Sequence, residues 1–253
     1  MTSALVERPP ISLAELVEEA ELLTRVDRKY LVPVAELPAV LAGLPSGTRV
    51  LEIDGRRDFA YRSAYFDTPA LHSYLAAARG RRHRFKLRTR SYLDSDVHFF
   101  EVKTRGSRGT TTKQRIPYGG EPALSPAAAA YAAEVLGVQL DLDHVLTTRY
   151  RRKTFFLPEG GTRLTVDTRL AWELPDGPGI RTPQWAVVET KSAAGASAAD
   201  RLLWSLHHRP RVVSKYGTGL AALRPDLPSN RWRPALRIFP TAPTLERLRD
   251  ETP

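Results

Sequence analysis

The stretch from Arg84 to Lys103 limits more than any other how this chain can fold. Arg84, Lys86, Arg88 and Arg90 occupy every second position, and residues two apart in a strand project from the same face of a sheet. After a short turn the chain returns through a second strand that ends near Lys103. Four cations in a row on an open sheet face would repel each other. The pattern therefore favours a face that lines a cavity holding a polyanion.

The overall charge agrees with an anionic partner. The formal net charge is +10, the pI is about 10.1, and 42% of the residues are hydrophobic, enough for a proper core. Nucleic acid, an anionic membrane or a phosphate-rich small molecule are the partners that such a balance suggests. The cations alternate along strands and do not form one continuous outer stripe, so we do not expect nucleic-acid binding.

Several chemistries are excluded or disfavoured. The chain contains no cysteine, which excludes disulfides, thiolate catalysis and cysteine-bound zinc. The six histidines show no spacing typical of a metal site. No run approaches the ~20 apolar residues of a membrane span, and the N-terminus has no apolar signal core. We therefore expect a soluble, cytoplasmic protein.

The order of the elements predicts an α+β fold without a βαβ rhythm. Helices are expected over 12–23, 39–44, 70–78, 125–137, 197–208 and 243–250. Strands are expected over 57–67, 84–90, 98–103, 111–118, 147–156, 163–170, 185–191 and 212–216, with a further one around 25–33. Most of these strands carry charge on one face and apolar residues on the other. A closed antiparallel β-barrel of about eight strands, with helices packed outside, would enclose the charged face. We expect one domain over 1–253, with its core at about 20–225 and a proline- and arginine-rich tail over 226–253.

The cations that alternation directs to the inside form the candidate phosphate site, because arginine recognises phosphate oxygens with a bidentate fork. They are Lys29, Arg62, Arg84, Lys86, Arg88, Arg90, Lys103, Lys113, Arg115, Arg152, Arg163, Lys191 and Lys215. A lumen lined by so many cations would be unstable if it were dry and empty.

Four acids accompany these cations: Asp27, Glu101, Asp167 and Glu189. They are too few to neutralise the ring. They fit better as ligands of a hard divalent cation, Mg²⁺ or Mn²⁺, which takes oxygen donors and bridges phosphates. Glu189, Glu101 and Asp167 are the predicted metal ligands.

Nine short motifs occur in the order found in VTC domains, which the chain resembles over about 20–225. They are Lys29-Tyr30-Leu-Val, Tyr65-Phe66-Asp67-Thr68, Lys86-Leu-Arg88-Thr-Arg90-Ser-Tyr92, Phe100-Glu101-Val-Lys103, Lys113-Gln-Arg115, Tyr150-Arg-Arg152, Arg163-Leu-Thr-Val-Asp167, Val188-Glu189-Thr-Lys191 and Ser214-Lys215-Tyr216. VTC domains are the polyphosphate-polymerase-like members of the triphosphate tunnel metalloenzyme superfamily.

The resemblance implies an eight-stranded tunnel that binds a triphosphate, with a divalent metal held by Glu189. Polymerising members move the γ-phosphate of ATP onto a growing polyphosphate chain. Carried over by position, the phosphate contacts are Lys29, Lys86, Arg88, Lys103, Lys113, Arg152, Arg163 and Lys215. Among the cations we predict catalytic roles for Lys29, Arg88, Lys103, Arg152 and Lys215, and substrate binding for the others. Members of this family also work beside membrane proteins, so a separate membrane partner is compatible with the resemblance. The sequence does not indicate the oligomeric state.

Two other functions stay open at this point. A tunnel triphosphatase would use water in place of the chain end as the phosphate acceptor. A non-catalytic module would bind polyphosphate or inositol phosphates without turnover.

Overall fold

The computed structural model describes residues 8–19, 26–106, 111–120, 123–193 and 195–239. Three of the predicted segments lie wholly or partly outside these residues: the first helix at 20–23, the strand around 25–33 at residue 25, and the terminal helix over all of 243–250.

The described chain contains eleven strands and seven α-helices, joined by loops and short 3-10 turns. The strands are β1 (Pro10–Ile11), β2 (Val26–Pro33), β3 (Arg49–Leu51), β4 (Phe59–Asp67), β5 (Arg84–Tyr92), β6 (Val97–Arg105), β7 (Thr111–Pro117), β8 (Asp143–Leu157), β9 (Thr162–Glu173), β10 (Gly179–Thr182) and β11 (Trp185–Ser192). The helices are α1 (Leu13–Glu19), α2 (Leu37–Ala42), α3 (His72–Ala78), α4 (Pro126–Leu136), α5 (Ala198–Ser205), α6 (Lys215–Leu223) and α7 (Arg233–Leu236). The predicted α+β class is confirmed.

The sheet is large and mainly antiparallel, but it is not the closed barrel that the sequence predicted. Eight strands follow the hydrogen-bonded order β2-β11-β9-β8-β4-β5-β6-β7, with β1, β3 and β10 attached off this path. Within the described residues, no pairing joins β7 to β2, so the expectation of a closed barrel is wrong. β7 carries exposed Lys113 and Arg115, and charged side chains on an edge strand oppose further pairing.

The chain divides into two compact units, each taken here by itself. The first comprises the described residues of Met1–Phe59, Tyr150–Leu170 and Thr182–Val212, and the second comprises those of Ala60–Arg149, Ala171–Arg181 and Val213–Pro253. Strands β8 and β9 contribute residues to both units.

In the first unit, α2 and α5 cover the apolar face of β2, β11 and β9. Tyr30, Leu164 and Val188 are fully buried there with Val40 and Leu203 of the two helices. The register places Glu189 opposite both Lys29 and Thr165. Directly paired residues share a face, so the charged side chains lie on the face away from the helices.

In the second unit, α4 covers the apolar face of β4, β5 and β6. Phe66, Leu87 and Phe100 pack there against Ala128 and Ala132. The helix starts where predicted, because the hydroxyl of its N-cap residue, Ser125, accepts a hydrogen bond from the amide of Ala128. The cationic face of the hairpin is again the one opposite the helix.

The predicted last strand, 212–216, is wrong in type. Ser214 is the N-cap of α6, and its hydroxyl accepts a hydrogen bond from the amide of Gly217. Gly217 and Gly219 lie inside this helix, where side chains at their positions would collide with Trp232 and Trp172. The two glycines let the tryptophan rings pack directly on the helix backbone.

Candidate phosphate-binding faces

Charged residues form three rows on the strands of the second unit, two of them across β5, β6 and β7 and one across β5 and β6 alone. Arg84 lies opposite Arg105, Lys86 opposite Lys103, and Arg88 opposite Glu101. On the far side of β6, Lys103 and Glu101 lie opposite Lys113 and Arg115. These residues share one face, as the alternation of cations in the sequence predicts.

Glu101 is the centre of charge on this face. Only 2% of it is exposed. Its carboxylate lies 2.7 Å from the Arg88 Nε and 2.6 Å from the Lys113 Nζ, and the Arg90 Nη1 is 4.0 Å away. Burial raises the pKa of Glu101, but the positive charges of Arg88, Arg90 and Lys113 outweigh it and hold the pKa well below its usual range. The buried carboxylate therefore stays ionised.

Aromatic rings support three of the guanidinium groups. Arg115 lies 4.2 Å from the ring centre of Phe99, and Arg90 lies 5.9 Å from that of Tyr61. Arg88 Nη1 also donates a hydrogen bond of 3.3 Å to the Tyr65 hydroxyl. Such contacts orient a guanidinium through the ring quadrupole while its N–H groups remain able to bind an anion.

The start of α6 adds groups that the sequence reasoning assigned to a strand. The Lys86 ammonium donates a 3.1 Å hydrogen bond to the hydroxyl of Ser214. Tyr216 stacks on Tyr65 with ring centres 5.1 Å apart. The Trp172 indole donates a 2.7 Å hydrogen bond to the carbonyl of Lys215, which holds the first turn. The Ser–Lys–Tyr–Gly sequence could have indicated a helix cap, since serine is a preferred N-cap residue.

The corresponding face of the first unit is organised by Glu189. Its Oε2 lies 2.5 Å from the Lys29 Nζ and its Oε1 lies 2.6 Å from the Lys191 Nζ, which also lies 3.3 Å from Asp27. Burial raises the pKa of Glu189, and the charges of Lys29 and Lys191 overcome it and lower the pKa well below its usual range.

A bidentate ion pair lies beside Glu189 in this unit. Arg152 donates through Nε and Nη2 to the two oxygens of Asp167, at 2.6 and 2.8 Å. Asp167 is fully buried and lies opposite Val187, two residues before Glu189 on the same face of β11. Arg163 pairs with Lys191 on this face.

The predicted site residues thus fall into two groups and one exception. Arg84, Lys86, Arg88, Arg90, Glu101, Lys103, Lys113 and Arg115 share the charged face of the second unit, and Lys215 begins α6 in the same unit. Lys29, Arg152, Arg163, Asp167, Glu189 and Lys191 share the face of the first unit. Arg62 is not brought to either group: it lies opposite Ser91, on the other side of β4 from Tyr65, and donates to the carbonyl of Gly120.

The predicted metal ligands are likewise distributed over the two units. Glu189 and Asp167 lie on one face of the first unit, and Glu101 lies in the second. In the part of the chain that the structure describes, no group of three or more histidine, aspartate or glutamate side chains forms a ready metal cage. In the same residues no helix has the length and apolar character needed to cross a membrane.

Several solved structures show a weak similarity to the chain. One is HpAC1 from Hippeastrum, a proposed adenylyl cyclase described as having a dominant triphosphatase activity, with 16% identity, a TM-score of 0.45, and coverage of 77% of this chain and 94% of that one. Another is a proposed adenylate cyclase from Vibrio parahaemolyticus, with 15% identity, a TM-score of 0.43, and coverage of 76% and 94%. A third is a conserved hypothetical protein from Pyrococcus furiosus, with 15% identity, a TM-score of 0.39, and coverage of 72% and 88%.

Comparison at the level of sequence families gives a more direct assignment. No curated protein sequence matches the chain significantly. The model of the VTC domain matches residues 24–224, which is most of the chain and includes both charged faces. The family that the nine motifs resembled is therefore confirmed: the chain belongs to the VTC domain family.

Proposed function

We propose that this VTC-domain protein is a polyphosphate polymerase, which transfers the γ-phosphate of ATP to the end of a polyphosphate chain. The observation that carries the proposal is the excess of ordered cations on the face opposite the helix in the second unit. Strands β5, β6 and β7 place Arg84, Lys86, Arg88, Arg90, Lys103, Arg105, Lys113 and Arg115 on that face. Glu101 is the acid among them.

Phosphate oxygens are the chemistry that best completes this face. Directly opposed like charges destabilise a sheet, and the Lys86–Lys103–Lys113 row opposes three of them. An anion with closely spaced negative charges would reverse this repulsion. Arginine and lysine bind phosphate through short, charge-assisted hydrogen bonds. The lysines that repel one another in this row are therefore also residues of the type that binds phosphate.

The chemistry requires alignment and charge neutralisation more than covalent catalysis. A terminal phosphate oxygen of the chain attacks the γ-phosphorus, the bond to the oxygen bridging the β- and γ-phosphates breaks, and ADP leaves with that electron pair. Arg88 and Lys103 would stabilise the charge that develops on the transferred phosphoryl group. Lys86 would bind the phosphate next to it. Taken by itself, the face of the first unit offers Lys29, Arg152 and Arg163 as candidate phosphate contacts. Lys215 would contribute from the first turn of α6, where the helix dipole also favours an anion.

The carboxylates of the first unit are of the chemical type that a hard divalent cation takes as ligands. Mg²⁺ and Mn²⁺ take oxygen ligands and are commonly bound by one or two carboxylates together with substrate phosphates. Glu189, kept ionised by its lysine neighbours, would hold the ion, with Asp167 nearby on the same face. Such an ion would neutralise charge on phosphates bound at that face.

The proposal is tested by incubating the protein with ATP and Mn²⁺ and quantifying ADP, orthophosphate and acid-labile polymer together. A polymerase produces ADP and polymer in step, with each ADP matched by one phosphate in the chain. Glu189→Gln should remove turnover, and Glu134→Gln, on the exposed side of α4, should not change it. ADP without polymer, or tight binding without ADP, would refute the polymerase.

A triphosphatase is the second candidate. The ionised carboxylate of Glu189, held between two ammonium groups, could orient a water molecule as readily as it could hold a metal ion. In that case ATP would give ADP and orthophosphate, inorganic triphosphate would give pyrophosphate and orthophosphate, and neither would give polymer. Binding of these anions with no turnover, unaffected by Glu189→Gln, would instead favour a phosphate-binding module.

A further inference from the structure

One end of the cationic face in the second unit carries a cluster of arginines that have no individual role in the phosphoryl transfer described above. Arg84 and Arg105 are directly opposed on β5 and β6, one row beyond Lys86 and Lys103. Two like charges in this position destabilise an antiparallel pair. The rows are separated by two residues, about 7 Å along the strand.

A third arginine is brought to this end by the C-terminal part of the unit. Arg231 lies in the short turn Asn230–Trp232, before α7. Its neighbour Trp232 is 2% exposed and packs on Tyr74 with ring centres 5.3 Å apart. The Arg231 Nη1 lies beside Gly80, 3.2 Å from where a Cβ would stand. The anchored tryptophan therefore holds Arg231 beside the turn that leads into β5.

Arg84 closes the cluster from the other side. Its Nη1 donates a 2.8 Å hydrogen bond to the carbonyl of Arg81, next to Gly80. Burial lowers the pKa of Arg84, and the charges of Arg105 and Arg231 lower it further. The positive charges of the three arginines thus repel one another. An anion bound between them would relieve this repulsion.

We propose that Arg84, Arg105 and Arg231 form an additional anion subsite that holds the phosphates of a polyphosphate chain beyond those in the Lys86–Lys103–Lys113 row. This inference rests on the proposed function. The subsite continues the same face by one row, so a linear anion with evenly repeated charge can occupy both rows at once. A short triphosphate seated in the first row gains nothing from the second. The subsite therefore selects for chain length.

The test compares the binding of long-chain polyphosphate and of inorganic triphosphate, by calorimetry at one fixed ionic strength. The variant is Arg105→Gln combined with Arg231→Gln; both side chains are exposed, so folding should be retained. The matched control is Arg201→Gln, on the exposed side of α5 in the first unit. We expect the double variant to bind long chains about tenfold more weakly. Its affinity for triphosphate should remain that of the parent protein, and the control should bind both anions normally.

The possible outcomes separate this inference from the proposed function. Loss of triphosphate and long-chain affinity by equal factors, or no loss of either, would overturn the length-selecting subsite while leaving phosphate binding intact. Failure of the unaltered protein to bind either anion would overturn the proposed function itself. If orthophosphate competes with long chains for the parent protein but not for the double variant, the cluster is a site for single phosphates and not a chain subsite.

Discussion

At the scale of single residues, two buried glutamates organise the charged faces. Alternation in the sequence identified Glu101 and Glu189 and most of the cations around them. It could not identify the pairs they form, because the partners Lys113 and Lys29 come from other strands whose register is not encoded locally. A buried carboxylate paired with several cations contributes to stability and is also a candidate metal ligand.

Arg88 and Lys103 provide a matched prediction. Replacing Arg88 by alanine removes one of three cations around buried Glu101 and should cost about 1–3 kcal/mol of unfolding free energy. Replacing exposed Lys103 should change that free energy by less than about 0.5 kcal/mol. Both changes should lower the rate of ADP formation from ATP by at least about tenfold, since each removes a charge from the transferred phosphate. Urea unfolding and a steady-state assay measure the two effects. Equal destabilisation by the two variants would show that Lys103 is a structural ion-pair residue.

The depressed pKa of Glu189 predicts how stability depends on pH. An unfolded glutamate has a pKa near 4.3, whereas the pKa of Glu189 in the folded protein is well below that. Its stabilising contribution is therefore complete above about pH 5 and is lost as the pH falls toward the folded pKa. Glu189→Gln should lower the unfolding free energy at pH 7. The difference in unfolding free energy between this variant and the parent protein should become smaller near pH 3. Unfolding in urea across this range measures the gap. Glu134→Gln is the control, and a gap that stays constant with pH would contradict the assignment.

At the scale of elements, local signals predicted most of the structure. The helix predicted over 197–208 is present as α5, and a capping box begins it: Ser197 and Asp200 exchange hydrogen bonds at 3.1 and 2.8 Å. Asp200 also accepts from the hydroxyls of Tyr30 and Thr190, which docks the helix on the sheet. The start of α6 was predicted wrongly as a strand. The rings of Trp172 and Trp232, which occupy the space beside its two glycines, belong to other segments of the chain.

Gly219 tests the packing of α6. Alanine is favoured over glycine in a helix by about 1 kcal/mol, but its methyl group would collide with the Trp172 ring. We expect Gly219→Ala to destabilise the protein by about 1–3 kcal/mol and to weaken triphosphate binding, because Trp172 holds the carbonyl of Lys215. Gly47→Ala, at an open position, should be neutral or slightly stabilising. Thermal unfolding and calorimetry give the two readouts, and a stabilised Gly219→Ala protein would show that the tryptophan does not constrain the helix.

At the scale of the whole molecule, the sequence predicted the class and the sidedness of the sheet but not its closure. Charge on one face and helices on the other follow from alternation in each strand, and both units have this arrangement. Closure depends on whether two edge strands pair, which alternation does not determine. Arg62 shows a related limit, because alternation puts it on the opposite side of β4 from Tyr65 but does not tell which of the two sides carries the cations; the pairing of Tyr65 with Arg88 does.

The net charge of +10 lowers the stability of the folded, unliganded protein, because the positive charges repel one another in the compact state. A ligand that binds only the folded state raises its stability, and inorganic triphosphate should do so by relieving repulsion among the cations. The most direct test of the account is the melting temperature with increasing triphosphate, compared with sodium chloride at equal ionic strength. We expect the melting temperature to rise steadily with triphosphate, by several degrees more than with the salt, and to rise much less for Lys86→Gln. Equal shifts with triphosphate and with salt would contradict the claim that these faces bind phosphate.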